Sequence, residues 1–203
     1  MNFKAHANCG VITGYCISFI FLYKFKIEFD TAAWCILSAV LGSILPDLDS
    51  DYSKSFNFIM TTISFIASLS VIIIFKDLRF FPVSVGVLIF FETGIKKLIR
   101  SLSKHRGVMH SIIALLCCSL TTVLILKYFG IVGEWFIGVS LGIGFFSHLL
   151  LDEINSLYDF KEKKFVKKKS FGTACKLYSK SWSGIVVCGI IIIEIIILIM
   201  GEL

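Results

Sequence analysis

Seven long apolar runs dominate the chain and limit the folds open to it. About 20 mostly apolar residues cross a bilayer as a helix, and backbone groups in lipid must be hydrogen-bonded within the spanning segment. The predicted spans are residues 7–23, 32–46, 56–75, 80–97, 108–128, 132–151 and 184–200. The 203 residues are 57% hydrophobic, with a mean hydropathy of +0.88, which is typical of a polytopic membrane protein. We therefore predict an all-α membrane helical bundle of about seven transmembrane helices, forming one domain over residues 1–203.

The basic residues predict the orientation of these helices. If the N-terminus is inside, 15 of the 20 Lys and Arg residues fall on the inner side. The positive-inside rule then favours an N-in, C-out topology. The Lys-rich loop at about 155–183 is interpreted as a cytoplasmic surface that meets the anionic headgroups of membrane lipids, although it could also hold an anionic substrate. This bias explains the net charge of +6, so no direct nucleic-acid binding is expected.

The cysteines and glycines have simpler interpretations. The seven cysteines include no CxxC pair and lie mostly in apolar segments. We interpret them as small buried hydrophobes rather than as disulfides or zinc ligands. Two glycine pairs, Gly10-x3-Gly14 and Gly138-x3-Gly142, predict close helix contacts.

All four histidines and a cluster of three aspartates are predicted to reach the same membrane face. His6 opens the first helix, "LPDLDSD" (45–51) follows the second, "HRGVMHS" (105–111) opens the fifth and "SHLLLD" (147–152) closes the sixth. The spacing of His148 and Asp152 puts them on one helical face, and Arg106 and His110 share that spacing if their helix extends so far back. Pro46 disfavours helix at the residue before it, which predicts a turn for the aspartates.

This set of residue types is typical of a divalent metal site. Imidazoles together with carboxylates bind first-row metals, and we expect one or two ions, with zinc or manganese favoured. A divalent ion bound between the carboxylates also offsets their mutual repulsion, because each carboxylate is attracted to the ion. Such a site activates water and polarises a phosphoryl or acyl oxygen. The guanidinium of Arg106 is suited to phosphate.

Three competing motifs fit less well. A calcium EF-hand that began at Asp47 would need Gly and Glu where Tyr52 and Phe58 stand. An aspartyl-phosphate phosphatase would need an α/β domain and Thr or Val in place of Asp51. The motif of phosphatidic acid phosphatases has an Arg where Gly142 stands.

Taken together, the four motifs resemble the YdjM family of inner-membrane metal-dependent hydrolases, some members of which are described as LexA-binding. The resemblance covers roughly residues 4 to 180, and its pattern is H, P-D-x-D, H-R-x-x-x-H-S and H-x-x-x-D. It implies a multi-pass protein of the inner membrane. The metal ligands that it implies here are His6, Asp47, Asp49, His105, His110, His148 and Asp152. Many members continue with T-P-x-G, whereas this chain continues with the Lys-rich loop.

Three hypotheses for function follow. The first is a metal-dependent hydrolase that cleaves a phosphoester of a lipid or lipid-like substrate at the cytoplasmic face. Arg106 would hold the phosphate, and Asp51 would be a general base or a further ligand. The second is a metal-ion transporter or sensor, and the third is a non-catalytic membrane adaptor with a structural metal.

Two further acidic residues lie outside the motifs. Glu92 is one turn before Lys96 and is predicted to be an ion-pair or supporting residue. Glu194 lies within "IIIIEIIILI" and is expected to be neutral unless a partner exists. Neither is predicted to be a metal ligand.

Overall fold

Seven α-helices make up most of the described chain in the computed structural model, which describes residues 3–49, 54–97, 109–159, 164–165 and 182–201. They are α1 (Phe3–Ile20), α2 (Phe29–Ile44), α3 (Lys54–Phe75), α4 (Phe81–Ile89), α5 (Ile112–Tyr128), α6 (Glu134–Leu157) and α7 (Trp182–Met200). Short π-helical segments, Phe21–Phe25 and Phe90–Ile95, extend α1 and α4. A two-residue antiparallel ladder pairs Tyr158–Asp159 with Lys164–Phe165.

Each predicted span corresponds to one of these helices. By length and composition, four segments are able to cross a membrane: Lys4–Phe25, Phe29–Asp47, Phe56–Ile73 and Glu134–Leu157. The other three are shorter apolar helices, Phe81–Ile95, Ile112–Tyr128 and Ile185–Met200. The all-helical fold and the apolar character of the helices are confirmed, while seven complete spans and the N-in orientation stay predictions.

Two boundary expectations need correction. Helix α5 begins at Ile112 rather than near residue 108, because Ser111 caps it: the Ser111 hydroxyl accepts from the Ala114 amide at 3.1 Å. His110 therefore precedes the helix, so the condition on which a shared face for Arg106 and His110 depended is not met at His110, and Arg106 lies outside the described residues. Helix α6 continues to Leu157, six residues past the predicted end.

Pro46 ends α2 less abruptly than expected. The α-helix stops at Ile44, but Leu45 keeps right-handed helical angles and the chain tightens into a 3₁₀ helix, Leu45–Asp49. Proline is tolerated in the first turn of such a segment because its missing amide is not needed there. The turn predicted for the aspartates is thus a short 3₁₀ helix at Asp47 and Asp49, whereas Asp51 lies outside the described residues.

The described chain divides into two compact units. The first comprises Met1–Pro46 and Gly107–Leu203 and contains α1, α2, α5, α6 and α7. The second, Asp47–Arg106, contains α3 and α4. The prediction of a single functional domain is not tested by this division.

Helices α2 and α6 form the centre of the first unit and meet backbone to backbone. A methyl group at Gly42 would overlap the Leu141 carbonyl, and one at Gly144 would overlap the Ala39 carbonyl. The hydroxyl of Ser38 also donates across the interface to the Ile137 carbonyl at 2.9 Å. Such small residues allow the close approach on which helix association in lipid depends.

The two predicted glycine pairs do lie at close helix contacts. Gly10 and Gly14 face α2, at Ser43 and Ile36 respectively. Gly138 and Gly142 face α5, where the Ser119 hydroxyl donates to the Gly138 carbonyl at 2.6 Å. These contacts fix α1 and α5 against the α2–α6 pair.

In the second unit, α3 and α4 are joined through polar side chains. The Ser68 hydroxyl donates to the Ser84 carbonyl at 2.8 Å. Glu92 accepts from Lys96 at 2.9 Å and from Ser64 at 3.3 Å. The predicted ion pair of Glu92 is therefore confirmed.

The prediction that the cysteines are small buried hydrophobes is confirmed for Cys35, whereas Cys16 is exposed and the other described cysteines are partly buried. Cys9, Cys16, Cys35, Cys117, Cys118 and Cys188 are all free thiols. Cys175 lies outside the described residues.

Candidate metal centre

One turn of α6 supplies two members of a buried cluster of three histidines and one aspartate. His148 and Asp152 are four residues apart, and Nε2 of His148 lies 3.5 Å from Oδ2 of Asp152. The shared helical face predicted for this pair is confirmed. His148 is completely buried. Ionisable residues within membrane helices are rare, face the interior of the bundle and mark candidate functional sites.

Helix α1 supplies the third member of this histidine cluster. Nε2 of His6 lies 3.3 Å from Oδ1 of Asp152, the carboxylate oxygen not used by His148. The two imidazole rings are stacked, with centroids 3.8 Å apart and 19° between their planes.

His110 completes the cluster from the residue before the cap of α5. Its Nε2 lies 3.7 Å from Oδ2 of Asp152, and its ring meets that of His148 edge-on, at 5.7 Å between centroids. The cap at Ser111 fixes where α5 begins and so fixes the position of His110. Three imidazoles on separate elements thus converge on one carboxylate.

A backbone carbonyl sets the tautomer of His148. Nδ1 of His148 lies 2.7 Å from the Ser43 carbonyl oxygen, which can only accept, so Nδ1 carries the proton. In the neutral ring, Nε2 then presents a lone pair toward the carboxylate of Asp152. Two acceptors that face one another need a cation between or beside them. A backbone carbonyl on the far nitrogen is also the usual support of a metal-ligating histidine.

The separations fit the donor set of a metal better than a set of hydrogen bonds. A charge-assisted N–H···O bond to a carboxylate is about 2.7–2.9 Å long, whereas these contacts are 3.3, 3.5 and 3.7 Å. Ligands held at about 2.0–2.1 Å around a tetrahedral ion are about 3.3 Å apart. His6, His148 and Asp152 offer donor atoms that all lie within 4.8 Å of one another, so the residues present fit a divalent ion.

The cluster is closed on one side and partly open on the other. The side chains of His6 and His148 are 2% and 0% exposed, whereas those of His110 and Asp152 are 18% and 24% exposed. His6 also differs from His148 in its outer contact, because its Nδ1 is buried without a hydrogen-bond partner among the described residues. The open side therefore lies toward His110 and Asp152.

The remaining predicted residues stand as follows. Asp47 is half-buried in the 3₁₀ helix and is the first residue of the second compact unit, so its part in a site stays a prediction. Asp49 ends the same 3₁₀ helix, and its side chain lies outside the described residues. Asp51, His105 and Arg106 also lie outside the described residues.

Sequence reasoning missed the residues that position the cluster. The Ser43 carbonyl orients His148, and the contacts at Gly42 and Gly144 bring α2 close enough to α6 to place that carbonyl. A signal existed in the sequence, because Ser38-x3-Gly42 and Ser140-x3-Gly144 are small-x3-small pairs like the two that were identified. The residue types, however, do not show which backbone carbonyl lies at such an interface and contacts a histidine.

The fold and the site define an all-helical, multi-pass membrane protein with a buried histidine–aspartate cluster of metal-binding character. The family model described as YdjM inner membrane protein matches residues 1–161. The chain belongs to this family and is a multi-pass protein of the inner membrane. Neither the curated proteins nor the solved structures gave a significant match.

Proposed function

We propose that this protein is a metal-dependent hydrolase that cleaves a phosphoester of a lipid or lipid-like substrate at the cytoplasmic face of the membrane. The observation that carries the proposal is the convergence of three imidazole Nε2 atoms on the Asp152 carboxylate at 3.3–3.7 Å. Ionisable side chains inside a membrane cost free energy. A cluster of four such side chains in a membrane helix bundle therefore indicates a functional site.

The chain's own residues would divide the work between holding an ion and orienting its ligands. His6, His110, His148 and Asp152 would hold it, with the Ser43 carbonyl fixing the His148 ring. The further ligands predicted from the motifs are Asp47, Asp49 and His105. A bound divalent ion would supply a water of lowered pKa and polarise a phosphoryl oxygen.

The partial opening of the cluster supports catalysis over a purely structural metal. Structural sites use up every ligand position with protein groups, whereas catalytic sites leave one open. Here the side toward His110 and Asp152 is accessible while His6 and His148 are sealed. Water or a substrate oxygen would approach from this side.

The substrate class is inferred from charge and location. A membrane-embedded site receives amphipathic substrates, and Arg106 in "HRGVMHS" is suited to grip their phosphate in a bidentate manner. Asp51 would accept the proton of the attacking water. These two roles rest on the motifs.

The proposal is tested by metal content and turnover together. The full-length protein would be purified in detergent, its bound metals counted by mass spectrometry, and a phospholipid panel assayed with wild type, Asp49→Ala and Asp152→Asn. We expect stoichiometric metal and phosphoester turnover in wild type, with turnover lost in both variants. Stoichiometric metal without turnover on any phosphoester would contradict the substrate assignment.

A non-catalytic adaptor with a structural metal is the second candidate, since two of the histidines are as buried as core residues. In that case alanine at His148 would unfold the protein, while Arg106→Ala would leave its biological activity intact. If this protein is a hydrolase, Arg106→Ala would instead remove turnover from a folded, metal-loaded protein.

A further inference from the structure

Pro46 lies directly behind the end of α2, the helix whose main chain supports the histidine cluster. Helix α2 ends at Ile44, and Pro46 is the second residue of the 3₁₀ helix that follows it. Its side chain is fully buried in the first compact unit. Pro46 is one of two prolines in the chain and stands three residues after Ser43, whose carbonyl is bonded to His148.

The bond between Ser43 and His148 is unusual in its acceptor. Nearly every buried backbone carbonyl is paired, and within an α-helix its partner is the amide four residues further along the chain. The carbonyl of Ser43 instead lies 2.7 Å from Nδ1 of His148, which is short for a hydrogen bond from N–H to oxygen. Its commitment to a side chain requires that the helix should not claim it.

The missing amide of Pro46 explains how this carbonyl leaves the helix ladder. The amide of residue 46 would pair with the Gly42 carbonyl in an α-helix and with the Ser43 carbonyl in a 3₁₀ helix. Proline has no amide hydrogen, so neither bond is available. The chain leaves the α-helical pattern at this point and tightens into the 3₁₀ helix Leu45–Asp49.

The location at the end of α2 also gives the Ser43 carbonyl the right polarity for an imidazole N–H. The last carbonyls of a helix lack partners within the helix and carry the negative end of its dipole. His6 shows the contrast, because its Nδ1 is buried without a hydrogen-bond partner among the described residues. The main chain thus orients His148 in a way that it does not orient His6.

We propose that Pro46 is a positioning residue of the metal centre, because it keeps the Ser43 carbonyl available for the Nδ1–H of His148. The ring of His148 then directs the lone pair of Nε2 toward Asp152. Pro46 acts only through Ser43 and His148. Its effect on metal affinity rests on the proposed metal centre, whereas its effect on the tautomer of His148 does not.

The test compares two replacements of Pro46 that differ only in one main-chain group. Pro46→Ala supplies an N–H, whereas lactic acid at position 46 gives a main-chain ester with the same methyl side chain and no N–H. The full-length protein in detergent would be stripped of metal, labelled with ¹⁵N in its histidines and studied by NMR at alkaline pH. The ¹⁵N shifts show which ring nitrogen carries the proton, and His148→Gln identifies the signals of His148.

We expect the Nδ1–H tautomer of His148 in the wild type and in the ester variant. In Pro46→Ala the α2 ladder can continue past Ile44 and claim the Ser43 carbonyl. The Nε2–H tautomer, which donates to Asp152, should then become populated. Metal affinity, measured by competition with a chelator, should fall about tenfold in Pro46→Ala, as for other losses of the outer partner of a ligating histidine. The ester variant should keep the wild-type affinity.

Pro82→Ala is the matched control. It also replaces a proline by alanine at the start of a helix, but Pro82 lies in the first turn of α4, in the other compact unit. Both the His148 tautomer and the metal affinity should remain as in the wild type.

Three results would overturn the proposal. The first is an Nε2–H tautomer of His148 in the wild type, a result that requires no variant to fold. The second is a wild-type tautomer in Pro46→Ala, which would show that an amide at this position does not compete for Ser43. The third is an equal change in Pro46→Ala and the ester, which would assign the effect to the lost proline ring. The NMR comparison is made without metal, so it holds even if the proposed function fails.

Discussion

The histidine cluster and Glu194 are both buried groups of titratable side chains in the same compact unit, yet they are built in opposite ways. The cluster joins donors from α1, α6 and the start of α5, with α2 contributing the Ser43 carbonyl. Glu194 has one hydroxyl and one thiol from a single helix. A divalent ion needs several donors at fixed separations, which the residues of the cluster provide.

The packing around the two sites also differs, because it is close at the cluster and open at Gly189 on α7. At the cluster, glycines bring α2 and α6 into backbone contact, so their ligands cannot move without breaking a close interface. On α7, Gly189 has nothing within 4 Å of its added methyl position. Rigid packing of several helices suits the coordination of an ion at fixed distances.

The largest expected effect comes from Asp152, which every histidine of the cluster faces. Asp152→Asn keeps the shape of the side chain but removes the charge, and we expect metal affinity to fall by at least about 100-fold, measured by competition with a chelator. Glu134→Gln, a carboxyl at the opposite end of α6, is the matched control and should leave affinity unchanged. Equal affinity in Asp152→Asn would show that the cluster does not hold the ion.

The glycine interface provides the next test. A methyl group at Gly144 overlaps the Ala39 carbonyl, so Gly144→Ala should push α2 from α6 and cost about 1–3 kcal/mol of stability in thermal unfolding in detergent. Metal affinity should fall with it, because the Ser43 carbonyl moves away from His148. Gly86→Ala, where nothing lies within 4 Å, should instead stabilise by about 0.5–1 kcal/mol. If both variants behave alike, the close α2–α6 contact does not control the site.

A smaller effect is expected for the hydrogen bond between Ser38 and the Ile137 carbonyl. Ser38→Ala should cost about 0.6 kcal/mol, the average for such bonds between membrane helices. Ser70→Ala provides the comparison, since Ser70 bonds only within its own helix on an exposed face and should change stability little. A cost for Ser70→Ala as large as that for Ser38→Ala would remove the distinction between the two bonds.

The smallest expected effect is that of Glu194→Gln on the metal centre. The amide keeps its acceptor oxygen for Thr121, so metal affinity should stay within twofold of wild type. A loss of metal in this variant would mean that Glu194 and the cluster are coupled through α5 and are not independent.

Much of the fold followed from the sequence because apolar runs report burial in lipid directly. Each predicted span corresponds to a helix, and the spacing of His148 and Asp152 correctly placed both on one face. The start of α5 was missed because the cap at Ser111, a local hydrogen bond, overrode the apolar pattern that continues before it. The end of α6 was predicted too early because the helix continues beyond its apolar segment.

The candidate site was predictable in its residue types and less so in its geometry. Convergence of His6, His110, His148 and Asp152 followed from the alternation of spans. The carbonyl of Ser43 could not be predicted, since every residue has a carbonyl and only the α2–α6 interface selects this one.

The most direct test of the central claim is an anomalous difference map from crystals of the metal-loaded, full-length protein. The account predicts a peak about 2.0–2.2 Å from Nε2 of His6, Nε2 of His148 and a carboxylate oxygen of Asp152. A peak elsewhere, or no peak at the cluster in protein shown to carry stoichiometric metal, would contradict it.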